Sequence, residues 1–235
     1  MSDIRKIALV VEGLTEASFI EKFVREIFTE NQVSIRTIKR DTSKKGNNWV
    51  VISSESVTDN TKFFFLIVNC STDSKVKSYI NENRKTLIDE GFEKIVGLID
   101  LYPLEKSDFH KHSQGLYYRV PQVPIPTVFV ISIMEIETWF LAETSHFERI
   151  HQAITVERIN TDLGIDLGNI DFEEIPAPAK LLNDIYHLEG FAYRKRATNI
   201  QRTVDAIDYS RMYFDVPVKV PSLQLLVDLI NEIIT

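Results

Sequence analysis

Lys6-Ile7-Ala8-Leu9-Val10-Val11-Glu12-Gly13-Leu14-Thr15-Glu16 is the stretch that decides the fold. The apolar run before Glu12 does not alternate with polar residues, as expected of a strand buried on both faces. Gly13 marks a turn, and Phe19, Ile20, Phe23, Val24, Ile27 and Phe28 then recur at helical spacing over 15–29, with Thr15 as the predicted N-cap. Strand, tight turn and helix in that order predict an α/β unit. They also put an acid, Glu12, at the carboxyl end of a strand, the edge where open α/β sheets hold their chemistry.

The pattern repeats downstream. Lys94–Ile99 is a second apolar run and ends in Asp100; Thr127–Ile133 is a third and leads into Glu135 and Glu137. Phe63–Val68 is a further core strand, followed by a helix over 73–91 with Gly91 as its stop. Val33–Arg40 alternates and reads as a half-buried or edge strand, 41–49 as a polar loop, and 102–126 as a proline-rich loop. The sum is a mostly parallel sheet of about four core strands in three layers, occupying residues 1–145. Residues 146–235 form a helical addition, with helices near 145–160, 178–190, 198–207 and 221–234, and an extended segment at 216–220.

Composition narrows the function. A chain of 235 residues with net charge −7 is not a generally basic nucleic-acid-coating protein, though a local cationic patch on an enzyme is compatible with it. A single cysteine, Cys70, allows no internal disulfide and suits a reducing cytoplasm. No signal-peptide pattern opens the chain, and no apolar run approaches the roughly 20 residues a membrane helix needs. Neither Gly-x-x-x-x-Gly-Lys nor Gly-x-Gly-x-x-Gly occurs, so ATP chemistry would have to come from a partner.

Glu12, Glu16, Asp100, Glu135 and Glu137 are the candidate metal ligands. Carboxylates at strand ends, with few histidines, suit Mg²⁺ or Mn²⁺ rather than Zn²⁺. Each also has a plainer reading, as a polar residue after a strand or an acid in a helix's first turn. Tyr193, Arg194, Lys195 and Arg196, with Arg202 further on, form a basic segment that could hold phosphates; a solvated face explains it as well. Lys180, at a helix start, is a weaker substitute. Arg36, Lys39, Arg40, Lys44 and Lys45 beside Trp49 could follow a nucleic-acid backbone, or simply guard an edge strand. His110 and His112, in a loop, make a poor zinc site; Cys70 reads as a packed residue, and Trp139, Phe140 and Leu141 as core.

Val11-Glu12-Gly13-Leu14-Thr15-Glu16 resembles the opening motif of TOPRIM-fold proteins, among them topoisomerases, primases and OLD-type nucleases. Leu98-Ile99-Asp100-Leu101-Tyr102, the Glu135-x-Glu137-x-Trp139 segment, Pro178-Ala179-Lys180-Leu181-Leu182 and Tyr193-Arg194-Lys195 are similar to a TOPRIM-like bacterial family of about 200–240 residues, often encoded beside an ATPase. The resemblance implies a metal-dependent nuclease acting on DNA or RNA, an effector in antiphage defence with an ATPase partner. A homo-oligomer is one possible assembly, and the sequence does not fix the oligomeric state. Glu12 would be the acid/base or a metal ligand, Asp100 a ligand, and Glu16, Glu135 and Glu137 further ligands or supports. The basic segment, read from its own residues, gives Lys195 as the catalytic cation that neutralises transition-state charge, with Arg194 and Arg196 on the nucleic acid. Tyr102 departs from the pattern, standing where a second aspartate is expected. The alternative it raises is a catalytically inactive module that binds a protein or a nucleic acid.

Overall fold

The computed structural model describes residues 4–43 and 48–235. The chain forms two compact units, one of residues 1–99 and 110–131, the other of 100–109 and 132–235.

The first unit is built on an α/β sheet of six strands: β1 (Arg5–Val11), β2 (Val33–Arg40), β3 (Trp49–Ser54), β4 (Phe63–Asn69), β5 (Lys94–Asp100) and β6 (Thr127–Ser132). Their order is β3-β2-β4-β1-β5-β6. β1 pairs in parallel with β4 and β5, and β2 in parallel with β4; β3 is antiparallel to β2. The sheet is thus mostly parallel, with the central apolar runs buried on both faces as read from sequence. One strand is added and one expectation changes. The four core strands and β2 are joined by a sixth strand, β3, which follows the segment read as a loop. β2 is not an edge, since β3 covers its outer side.

Helix α1 (Leu14–Ile27) follows β1 and buries Phe19, Ile20, Phe23 and Val24. Each such apolar side chain contributes roughly 1.5–3 kcal/mol relative to exposure. The helix starts one residue before the predicted Thr15 cap: Gly13 occupies the N-cap without a side-chain bond, and Thr15 is buried. Helix α2 (Val76–Asp89) crosses from β4 to β5 and stops before Gly91, whose φ of 78° is the left-handed turn expected of a helix end. Gly97 in β5 is required by packing. A Cβ there would stand 2.7 Å from Cδ1 of Phe129 in β6.

Helix α3 (Phe109–Tyr117) replaces the loop expected around His110 and His112. The sequence signal was weak because Leu116 is its only buried residue. The helix delivers Tyr117 to β6, where the Phe129 N–H donates to the tyrosine hydroxyl at 3.0 Å.

The second unit is helical: α4 (Glu137–Ala142), α5 (His146–Ile150), α6 (Val156–Leu163), α7 (Pro178–His187), α8 (Ala197–Ala206), α9 (Tyr209–Phe214), α10 (Val216–Lys219) and α11 (Pro221–Ile234). The helix read over 145–160 is two short ones. Residues 216–219 are helical rather than extended, with Pro217 in the first turn where its missing N–H costs nothing. α4 is buried along its whole length, and Trp139 donates its indole N–H to Ser222 of α11 at 2.9 Å. α11 buries Leu223, Leu226, Val227, Ile230 and Ile233, whereas Ile234 is exposed.

Candidate functional site

The sequence candidates divide between the units. In the first, Glu12 follows β1 and Glu16 lies in the first turn of α1, where it is buried. Gly13 keeps ordinary extended backbone, so its role is space: a Cβ there would meet the Glu16 carboxylate at 3.0 Å.

The rest gather in the second unit around the start of α4. Asp100 is buried and holds the turn together. Its Oδ1 accepts from the Ser132 hydroxyl at 2.5 Å and from the Ile136 backbone N–H at 3.0 Å. The backbone adds two further ties, Leu101 N–H to the Ser132 carbonyl at 2.9 Å and Tyr102 N–H to the Met134 carbonyl at 2.8 Å. Met134 pays for the sharp turn with a left-handed φ of 64°, a conformation uncommon outside glycine.

That turn presents Glu135 and Glu137 to one ammonium. Lys195 Nζ lies 3.0 Å from Glu135 Oε1 and 3.6 Å from Glu137 Oε1. Glu135 reaches the N-terminus of α7 through its other oxygen, which accepts from Ala179 N–H at 3.3 Å, an arrangement the helix dipole favours. Glu137 has a fully buried side chain and accepts the Tyr193 hydroxyl at 2.6 Å. Tyr193 is held in turn by its backbone N–H on Asn183 Oδ1 at 3.0 Å. Burial alone would lower the Lys195 pKa. The carboxylates of Glu137 and Glu135, with Asp100 behind them, override it, and the net shift is upward. Lys195 is therefore charged at any physiological pH while its side chain stays half exposed.

The structure therefore brings Asp100, Glu135, Glu137, Tyr193 and Lys195 into one hydrogen-bonded and ion-paired cluster. Among the described residues, no group of three or more His, Cys, Asp and Glu side chains stands as a metal-holding set. Ser132 and the Tyr193 hydroxyl are members that sequence reasoning did not assign. A serine ending an apolar strand and a tyrosine beside basic residues gave no spacing signal for a partnership across the chain.

Other candidates resolve less favourably. Arg194 and Arg196 are exposed beside Lys195, but Arg202 turns inward, with its guanidinium over the rings of Phe191 at 5.1 Å and Tyr186 at 5.8 Å. Lys180 is tied to Asp184 at 2.6 Å. Trp49 is half-buried and packs edge-on against Tyr79 with ring centroids 4.6 Å apart. Lys44 and Lys45 lie outside the described residues. Burial pushes the Cys70 thiol up to about 12, which keeps it protonated and fits the packed-residue reading.

No family model and no curated protein matches the chain. A solved structure from Lactobacillus plantarum WCFS1, provisionally described as a cell surface hydrolase, is similar at 14% identity and a TM-score of 0.34. The match covers 66% of this chain and 64% of that one, less than two thirds of its length. Likeness at that level carries no argument about activity. No helix among the described residues is long and apolar enough to cross a membrane.

Proposed function

We propose that this protein is a TOPRIM-like, metal-dependent nuclease that hydrolyses phosphodiester bonds in DNA or RNA, as an effector of bacterial antiphage defence working with an ATPase. The observation that supports it most is the Asp100–Glu135–Glu137 set with Lys195 at the strand-to-helix turn that ends β6. Hard carboxylate oxygens suit Mg²⁺ or Mn²⁺ by donor type. Their present arrangement does not suit it, because the Lys195 ammonium already stands between Glu135 and Glu137. A divalent cation on these acids would require Lys195 to leave them. When bound it would supply charge stabilisation for a phosphodiester under attack.

The chain's own residues have definable parts in this reading. Asp100 fixes the turn that aims Glu135 and Glu137. Tyr193 holds the buried Glu137 in place. Lys195, once released, offers an ammonium to a phosphate oxygen, and the exposed Arg194 and Arg196 extend that positive edge. The sequence reading adds Glu12 as the proton-handling group.

Two features favour the second reading, a non-catalytic module that binds a partner protein or nucleic acid. Lys195 is ion-paired with both glutamates, and Tyr102, in place of a second aspartate, is exposed. The deciding experiment measures cleavage of single- and double-stranded DNA and RNA with and without Mn²⁺ and the neighbouring ATPase. Wild type is compared with Glu12→Gln and Glu135→Gln. The nuclease reading expects Mn²⁺-dependent cleavage by wild type and its loss in both variants with folding intact. A wild type that cleaves none of these substrates under any of the conditions leaves the binding-module reading in its place.

A further inference from the structure

The two edges of the sheet are finished differently. On the β6 edge, outward backbone N–H groups are answered from within the first unit: Thr127 N–H donates to the Gln122 side chain at 3.0 Å and Phe129 N–H to the Tyr117 hydroxyl at 3.0 Å. The β3 edge has no such cover among the described residues. β3 pairs only with β2, and its sequence is Trp49-Val50-Val51-Ile52-Ser53-Ser54, without charge, proline or glycine. Val50 is 47% exposed, Val51 49% and Ile52 60%, and Val57 just beyond is 51%. Successive strand residues point to opposite faces, so Val50 and Val51 put exposed apolar groups on both faces of β3, while Trp49 is half-buried against Tyr79. Native sheets ordinarily blunt such an edge with lysines, prolines or a covering element.

We propose that the β3 edge is a self-association surface, on which a second copy of this chain adds its own β3 antiparallel across a twofold axis. The strand's chemistry selects that occupant. A twofold interface sets a patch against itself, so it needs a strand that tolerates its own copy opposite. β3 carries no charge to be repelled, and Trp49, Val50 and Val51 are aromatic and β-branched residues that pair well across strands. Asp41 N–H bonds the Asn48 carbonyl at 2.8 Å across to β2, so by the two-residue alternation Trp49 and Val51 direct their backbone groups outward. With Val50 on the axis, Trp49 of each copy lies opposite Val51 of the other. The register between β2 and β3 shifts at Thr37/Ile38, leaving Ile52 without a paired residue, so the regular edge ends after Val51. An interface that short falls at the small end of specific contacts, below about 1,200 Å², and should give a concentration-dependent dimer rather than a permanent one.

The test is sedimentation equilibrium of the full chain over a wide concentration range, joined to backbone hydrogen exchange on the same samples. The expected mass rises from 27.1 kDa toward twice that value. Protection of the Trp49 and Val51 amides should increase at least tenfold over the same range. Val51→Lys should remain at the monomer mass with an unchanged unfolding midpoint. A wild type that stays monomeric throughout overturns the proposal. So does a dimer whose Trp49 and Val51 amides exchange as freely as in the monomer, a result that needs no variant to fold.

Discussion

Replacing Lys195 by methionine keeps the length of the side chain and removes the ammonium from between Glu135 and Glu137. At the 3.6 Å separation from Glu137, the Coulomb attraction is about 1 kcal/mol in bulk water and about 5 kcal/mol at an effective dielectric of 20. Lys195 is 49% exposed, so solvent screening places it between those limits, and the cost of burying its charge subtracts further. The fully buried Glu137 carboxylate raises the cost of losing its partner. The expected destabilisation is about 2 kcal/mol, or roughly 4–8 °C in Tm for a chain of this length. Glu137→Gln leaves an acceptor for the Tyr193 hydroxyl while removing the charge. Combined with Lys195→Met it should recover about 1–2 kcal/mol relative to the sum of the single variants.

The pH dependence has a definite sign. The Lys195 pKa is raised in the folded state, so its contribution is fully present below the unfolded value of about 10.4 and is lost as pH rises through the folded one. Chemical denaturation of wild type and variant from pH 7 to 9 should therefore show a constant gap that narrows only at more alkaline pH. A Lys195→Met cost under about 0.5 kcal/mol, or strictly additive single and double variants, would refute the account of this cluster as a coupled charge network.

Further outcomes are expected elsewhere. Gly97→Ala forces a methyl group against the Phe129 ring and should cost about 1–3 kcal/mol by denaturant unfolding; a neutral effect would show that β5 and β6 are less closely packed than the 2.7 Å approach requires. His146 is fully buried, and desolvation lowers its pKa to about 4. With the unfolded value near 6.5, stability should be complete above that pH and fall by about 3 kcal/mol as pH drops to about 4. Glu143, whose carboxyl burial pushes up, opposes part of that loss. His146→Gln should flatten the slope between pH 6.5 and 4, and an unchanged slope would assign it to other groups.

How much could be read from residues alone follows from how local each signal is. β1, β4, β5 and β6 announced themselves because central strands of a parallel sheet are unbroken apolar runs, and the acids that end or follow three of them, Glu12, Asp100 and Glu135, were read with them. β3 did not, because a strand that buries almost nothing has no pattern of burial to show. α3 was equally quiet, with Leu116 its only buried residue. α11 was legible as a helix, and its apolar residues Leu223, Leu226, Val227 and Ile230 are buried.

The sequence by itself determined the α/β class, the parallel core and the set of acids at strand ends, since backbone period and apolar patterning are properties of neighbouring residues. Only the tertiary structure decided what those acids do with one another. Glu137 meets Tyr193, and Glu135 meets both the start of α7 and Lys195, through contacts spanning 44 to 60 residues of chain. No spacing rule encodes such meetings, because they depend on how the intervening helices pack.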